Sequence, residues 1–226
     1  MPTFTVLDVL AMIDADPGLR RVQDLGLDRL DDDPGHDSAH ALRVAAWTVR
    51  ILSDPDAARN GIAAGLLHDL VNVPKDSPER SRASELSARA ARPILVQAWF
   101  APSAVDCICD AIRDHSFSAG RTPSTELGRA LQDADRLEAL GALGIFRTIS
   151  TGVAMGAHYF HPEDPWAEHR ELDDRTYTVD HFFRKLLLLP ERMHTEIGRA
   201  EAERRVEFMR AFLTQLRNEL SPATGA

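Results

Sequence analysis

The sequence predicts an all-α protein, a single-domain helical bundle with additional helices at its C-terminal end. Apolar side chains recur at the three- and four-residue spacing of helices along most of the 226 residues. No stretch of useful length alternates between polar and apolar residues as a strand would, and no internal repeat is visible. We therefore expect one domain over residues 1–220 and a flexible tail at 221–226.

The predicted helices are separated by prolines, glycines and residues that can cap a helix. The first is expected over 4–15 and to end at Asp16-Pro17-Gly18. An acidic segment at 31–35 offers N-caps to the next helix, and prolines such as Pro93 are interpreted as helix entry points. A looser, glycine-containing segment is expected at 141–175. The remaining helices are predicted at 37–52, 56–71, 84–91, 93–99, 103–114, 124–139, 177–189 and 195–219.

Composition and charge argue against several classes of protein. The chain has 35 acidic and 26 basic side chains, which gives a formal net charge of −9. With this balance and no basic run, it is not expected to bind a nucleic-acid polymer or a membrane. Its two cysteines, Cys107 and Cys109, cannot build a disulfide framework. No apolar run approaches the ~20 residues of a membrane span, and no secretory signal is visible, so we expect a cytoplasmic protein.

Polar residues interrupt otherwise apolar helices at three places, namely His40, the doublet His68-Asp69 and Asp135. Burying an unpaired imidazole or carboxylate costs several kcal/mol, so such groups are hydrogen-bonded, ion-paired or bound to a metal. Two imidazoles and two carboxylates suit a divalent cation such as Mn²⁺, Mg²⁺, Fe²⁺ or Zn²⁺. These residues by themselves leave a structural alternative open. In that alternative, His40 pairs within the bundle and Asp135 bridges to Arg136.

The residues around these positions resemble the HD-domain superfamily of metal-dependent phosphohydrolases. The resemblance is carried, in chain order, by His40 to Val44, Leu66 to Leu70 and Gln132 to Leu137. Similarity to a stand-alone bacterial subfamily extends over roughly residues 36–215. The resemblance implies a bundle of the HD type with its core at about 36–140 and a C-terminal elaboration at about 141–220. It assigns the metal to the residues His40, His68, Asp69 and Asp135.

The same resemblance implies an activity and further site residues. A water activated by the metal would release phosphate or pyrophosphate from a nucleotide or a related small phosphate ester. Asp69 or Asp135 would also orient that water, while Lys75, the nearby arginines and His115 would offset the charge that develops on the substrate. The predicted catalytic residues are therefore Asp69, Lys75, His115 and Arg136. The predicted substrate contacts are Lys75, Arg80, Arg82 and His36.

Structural interpretations of these further residues remain open. The basic side chains of segment 75–82 could form a solvated loop. His36 could precede a helix that has Asp37 as its N-cap, or it could bind a second metal. His115 could be a helix-terminal histidine favoured by the C-terminal dipole, and Arg136 could pair with a carboxylate.

Two other functions compete with hydrolysis. The alternative is a non-catalytic regulatory module of the HD fold that binds a metal or a nucleotide, and a purely structural helical protein is the third. Hydrolysis of (p)ppGpp-like compounds is disfavoured, because Asn72 and Val73 stand where the glutamate-aspartate element of alarmone hydrolases would be. A homodimer formed through a helix is also left open.

Overall fold

The fold is all-α, as the sequence predicts. The structure is a computed structural model that describes residues 4–27, 37–71, 73, 82–116 and 120–220. Within these ranges there are ten α-helices and no strand, and an isolated bridge joins His158 to Tyr177. None of the described helices combines the length and the apolar character that crossing a membrane requires. The tail predicted at 221–226 lies outside the described residues.

The chain divides into two compact units, Met1–Asp135 and Arg136–Ala226. The first unit contains α1 (Val6–Ala15), α2 (Pro17–Leu27), α3 (Ser38–Leu52), α4 (Ala58–Leu67), α5 (Ala83–Gln97), α6 (Pro102–Asp114) and most of α7 (Glu126–Glu138). The second contains the end of α7, α8 (Gly141–Ala154), α9 (Thr178–Arg184) and α10 (Glu196–Leu220). Short 3-10 turns occupy Pro55–Ala57, Leu186–Leu188 and Pro190–Arg192. The single domain expected over 1–220 stays a prediction.

The turn at Asp16-Pro17-Gly18 begins a helix that the sequence analysis missed. The backbone N–H of Asp16 still donates to the carbonyl of Met12 (3.0 Å), which closes α1. Its carboxylate, however, accepts from the backbone N–H groups of Gly18 (2.7 Å) and Leu19 (3.1 Å). Proline suits the first helical position because its missing N–H would have no partner there. The same residue therefore ends α1 and begins α2.

Other helix boundaries also differ from the prediction, and the helix expected over 56–71 ends at Leu67. Pro93 begins no helix, because α5 runs through it from 83 to 97. The segment expected to be loose after 140 contains α8, whose Gly144 permits a close contact. A Cβ on Gly144 would lie 2.2 Å from the carbonyl oxygen of Ala139, so the glycine serves packing there. The helix predicted to end at 189 ends at Arg184, where a 3-10 turn follows.

Helices α3 and α4 approach each other most closely at Gly65. A Cβ on Gly65 would lie 2.4 Å from the Cα of Ala45 and 2.6 Å from its backbone nitrogen. Both distances are far below van der Waals contact, so only glycine fits. Because α4 ends at Leu67, two residues after Gly65, this contact fixes where His68 stands relative to α3.

We expect Gly65→Ala to destabilise the protein by about 1–3 kcal/mol, because the added methyl group has no space and the helices must separate. The matched control is Gly61→Ala, one turn earlier in α4. Its Cβ would meet only side-chain atoms, at 3.1 Å from Leu52 and 3.3 Å from Val49. That change should stay within about 1 kcal/mol of wild type. Urea unfolding monitored by circular dichroism measures both, and equal stabilities of the two variants would contradict the prediction.

Candidate metal centre

His40 lies in the first turn of α3, and its position is set by a helix cap. The carboxylate of Asp37 accepts a hydrogen bond from the backbone N–H of His40 (2.7 Å), so Asp37 is the N-cap. The His40 side chain is buried. An imidazole in the first turn of a capped helix has little freedom to move, which suits a ligand position.

His68 follows the end of α4, and a backbone contact orients its ring. Its Nδ1 lies 2.8 Å from the carbonyl oxygen of Gly65, so this nitrogen carries the proton and donates it. The Nε2 lone pair then points to the other side, where it lies 3.2 Å from Nε2 of His40. Holding the ring of a ligand histidine through its second nitrogen is typical of metal sites.

Two carboxylates complete the cluster in the first unit. Oδ2 of Asp69 lies 3.5 Å from Nε2 of His68. Oδ1 of Asp135, on α7, lies 3.6 Å from Nε2 of His40 and 3.9 Å from Nε2 of His68. One potential ligand atom from each of His40, His68 and Asp69 lies within 4.8 Å of the others. Four side chains from three separate segments of the chain thus converge on one place.

These distances fit one cation. Two ligand atoms bound at about 2.1 Å lie about 3.0 Å apart at right angles and about 4.2 Å apart on opposite sides. The distances that join His68 to His40 and to Asp135 are 3.2 and 3.9 Å, inside that range. A donor set of imidazole nitrogens and carboxylate oxygens suits Mn²⁺, Fe²⁺ and Zn²⁺. The cluster could therefore hold a divalent metal, whose identity it does not determine.

The surroundings of the cluster favour the protonation states that a ligand needs. Burial lowers the pKa of His68 to about 4, although the Asp69 carboxylate acts in the opposite direction. His68 is therefore neutral at pH 7. Burial acts to raise the pKa of Asp135, but the nearby imidazoles, His68 first, outweigh it and lower this pKa. A neutral imidazole and an ionised carboxylate can bind a cation without first losing a proton.

The structure also brings His115 to this cluster. The residue follows the end of α6, is 4% exposed, and places Nε2 at 3.4 Å from Oδ1 of Asp69. Its ring packs edge-on against His68, and its Nδ1 lies 2.6 Å from the carbonyl oxygen of Ile112. Burial lowers the pKa of His115, but the Asp69 carboxylate more than offsets this, so the pKa is raised. His115 thus lies where its ring can donate a hydrogen bond to Asp69.

The remaining predicted site residues are His36, Lys75, Arg80, Arg82 and Arg136. His36, Lys75 and Arg80 lie outside the described residues. Arg82 is exposed immediately before α5. The Arg136 guanidinium donates to the backbone carbonyl of Arg192 within the second unit. The roles assigned to these residues stay predictions.

Comparison with known proteins identifies the family. The family model of the HD domain matches the sequence over residues 38–140. The chain is 32% identical to the protein YpgQ of Bacillus subtilis over 196 residues, which is 84% of this chain and 87% of YpgQ. The chain belongs to the HD-domain superfamily. The resemblance predicted from the motifs around His40, His68 and Asp135 is therefore confirmed.

Solved structures agree with this assignment. The crystal structure of YpgQ in complex with ADP has a TM-score of 0.69 and 30% identity, and the match covers 93% of this chain and 100% of that one. An HD-superfamily hydrolase from Bacillus thuringiensis has a TM-score of 0.67 and 25% identity over 95% of this chain and 99% of its own. The HD-domain protein described here is thus similar to hydrolases and has a cluster that could hold a metal.

We expect the metal-free protein to bind Mn²⁺, and Asp135→Asn to weaken this binding at least tenfold, since the change removes a charged ligand but keeps the shape of the side chain (loss of a supporting partner alone costs about 10- to 100-fold). Isothermal titration calorimetry measures the affinity. Asp106→Asn is the matched control, because that carboxylate is 64% exposed and pairs with Arg92. Equal affinities for Asp135→Asn and the control would contradict the proposed ligand set.

Proposed function

We propose that the protein is a metal-dependent phosphohydrolase that releases phosphate or pyrophosphate from a nucleotide or a related small phosphate ester. One observation carries the proposal, namely the convergence of His40, His68, Asp69 and Asp135 on one place in the first unit. Membership of a superfamily that includes hydrolases supports it.

The four convergent residues would hold the cation, each with a distinct supporting contact. When bound, a divalent cation supplies an activated water and polarises a phosphoryl oxygen. His40, in the first turn of α3, and His68, at the end of α4, both direct Nε2 into the cluster, so they would fix the position of the site. Asp69 has one oxygen near His68 and the other near His115. That arrangement lets the carboxylate bind the cation with one oxygen and accept a proton or a hydrogen bond with the other.

His115 would act on Asp69 and on the charge of the substrate. Although burial acts to lower the pKa of His115, the Asp69 carboxylate raises it and so favours the protonated imidazole. A hydrogen-bond donor 3.4 Å from Oδ1 keeps the Asp69 carboxylate in one orientation. A cationic donor at the edge of a site with a cation would also stabilise the negative charge that develops during phosphoryl transfer.

A nucleotide is the favoured substrate class, because YpgQ was crystallised with ADP and shares 30% identity with this chain. An acidic protein of net charge −9 needs local cations to hold a phosphate. The predicted basic residues around the site could supply them together with the metal. These residues are Lys75, Arg80, Arg82 and His36, and their role as a phosphate-binding rim is part of the proposal.

We expect the wild-type protein with Mn²⁺ to release phosphate or pyrophosphate from members of a panel of nucleoside mono-, di- and triphosphates. Asp69→Ala should lower turnover by at least about 100-fold, because a ligand that also orients the water is lost. Chromatography of the products tells the two bond positions apart: diphosphate and phosphate, or monophosphate and pyrophosphate.

The control for this experiment is Asp106→Asn, which should hydrolyse nucleotides at the wild-type rate. The alternative function, a regulatory module, makes the opposite prediction. It expects ADP to raise the melting temperature of the metal-loaded protein while no nucleotide is hydrolysed. Stabilisation without turnover, or wild-type turnover in Asp69→Ala, would contradict the proposed function.

We expect His115→Gln to lower kcat by about 10- to 100-fold while Mn²⁺ still binds, since a partner of a ligand is lost but no ligand is. Steady-state kinetics and calorimetry on the same preparation measure the two effects. His169→Gln is the control, because His169 is exposed in the second unit. Unchanged kcat in His115→Gln would remove this residue from the reaction.

A further inference from the structure

Gln132 is a buried amide that the activity proposed above does not use. It lies on α7 and is 1% exposed. Its Nε2 donates to the backbone carbonyl of Asp114 (2.9 Å) and lies 3.3 Å from the carbonyl oxygen of Arg121. One side chain thus contacts the backbone on both sides of the segment that contains His115.

The end of α6 explains why these contacts matter. The last carbonyl groups of a helix have no partner within the helix, so other donors must reach them. Nδ1 of His115 donates to the carbonyl of Ile112 (2.6 Å), and Gln132 donates to the carbonyl of Asp114. The place of His115 is therefore fixed twice, once by α6 and once by α7.

The register of α7 against α6 connects this contact to the metal centre. A Cβ on Gly128 would lie 3.7 Å from the Cα of Ala111, so the two backbones come close there. One turn later Gln132 reaches Asp114, and three residues further Asp135 faces the buried histidines. Residues three and four apart share one face of a helix. The same face of α7 thus contacts the end of α6 and provides a metal ligand.

The ion pairs of Asp114 involve its carboxylate, so its backbone carbonyl remains available to Gln132. The carboxylate of Asp114 accepts two bonds from Arg113, at 2.9 and 3.0 Å, and lies 3.6 Å from the guanidinium of Arg121. These ion pairs hold the side chain of Asp114 and not its backbone oxygen. A buried carbonyl that loses its donor costs about 1–3 kcal/mol, so the segment would move to recover a partner.

From these contacts we propose that Gln132 is a positioning residue for His115, because its two hydrogen bonds hold the imidazole at the correct distance from Asp69. The inference rests on the proposed function only in assigning His115 to the reaction. Its effect should be large for a small displacement, since the contact between His115 and Asp69 is already 3.4 Å long.

The kinetic test is a double-mutant cycle. Gln132→Met keeps the length of the side chain but has no N–H to donate. We expect it to lower kcat about tenfold with KM changed less than twofold, and to lower kcat less than twofold when His115 is already glutamine. Gln97→Met is the control, because Gln97 is exposed at the end of α5 in the same unit. Effects of the two substitutions that simply multiply would overturn the inference.

A second measurement does not depend on hydrolysis. Diethyl pyrocarbonate modifies histidines at a rate that follows their exposure, and mass spectrometry of the metal-free protein gives the rate at each one. We expect modification of His115 to be slow in wild type and at least threefold faster in Gln132→Met, with exposed His169 as the internal reference. An unchanged rate at His115 would overturn the inference.

The two measurements separate failure of the inference from failure of the proposed function. If the wild-type protein hydrolyses no nucleotide, the proposed function fails, and the modification rate alone decides whether Gln132 positions His115. If Gln132→Met does not fold, Gln132→Leu takes its place in both experiments. Its side chain is close in size and offers no donor to the two carbonyls at any pH.

Discussion

The metal centre depends on the contact between α3 and α4 at Gly65. Without a side chain there, the backbone of α4 lies against Ala45. The carbonyl oxygen of Gly65 accepts a hydrogen bond from Nδ1 of His68, and this turns Nε2 of His68 towards His40. Gly65 thus determines both the distance between the two histidines and the direction in which one of them points. A larger residue at this position would disturb packing and ligand geometry together.

The cluster is unfavourable for the fold unless something binds to it. Two buried Nε2 atoms that lie 3.2 Å apart can share at most one proton between them. The ionised carboxylates of Asp69 and Asp135 lie close by and lose part of their hydration. A cation would satisfy all four groups at once, so its binding free energy would add to the stability of the fold. The free-energy cost of this cluster in the free protein is therefore consistent with a site that binds a cation.

Local signals in the sequence predict most of the helices, and they fail where tertiary contacts decide. Asp16 both ends one helix and begins another, which a breaker motif read by itself does not reveal. Gly144 makes the sequence of α8 look less helical, because glycine has a low helix propensity. Its role, a close approach to Ala139, is visible only in the fold. Proline is common at the first position of a helix, so Pro93 predicts a helix start, yet α5 tolerates it inside the helix.

The candidate site shows the same division. His40, the His68-Asp69 doublet and Asp135 could be predicted because short motifs surround them, and the structure places them together. The contact of His115 with Asp69 and the two bonds of Gln132 could not, because they join α6 and α7 to the rest through residues far apart in sequence. A lone glutamine carries no signal of what it contacts.

Charge makes the binding of cation and phosphate depend on each other. The centre holds two carboxylates, Asp69 and Asp135, and the pKa of Asp135 is lowered, while burial lowers the pKa of His68 to about 4, so this imidazole is neutral. The free centre is therefore negative, in a chain of net charge −9, and repels a phosphate. Two added charges from a divalent cation offset those of the two carboxylates, so we expect the cation to bind before the nucleotide. Because such coupling is reciprocal, a bound phosphate must raise the affinity for the cation by the same factor by which the cation raises the affinity for the phosphate.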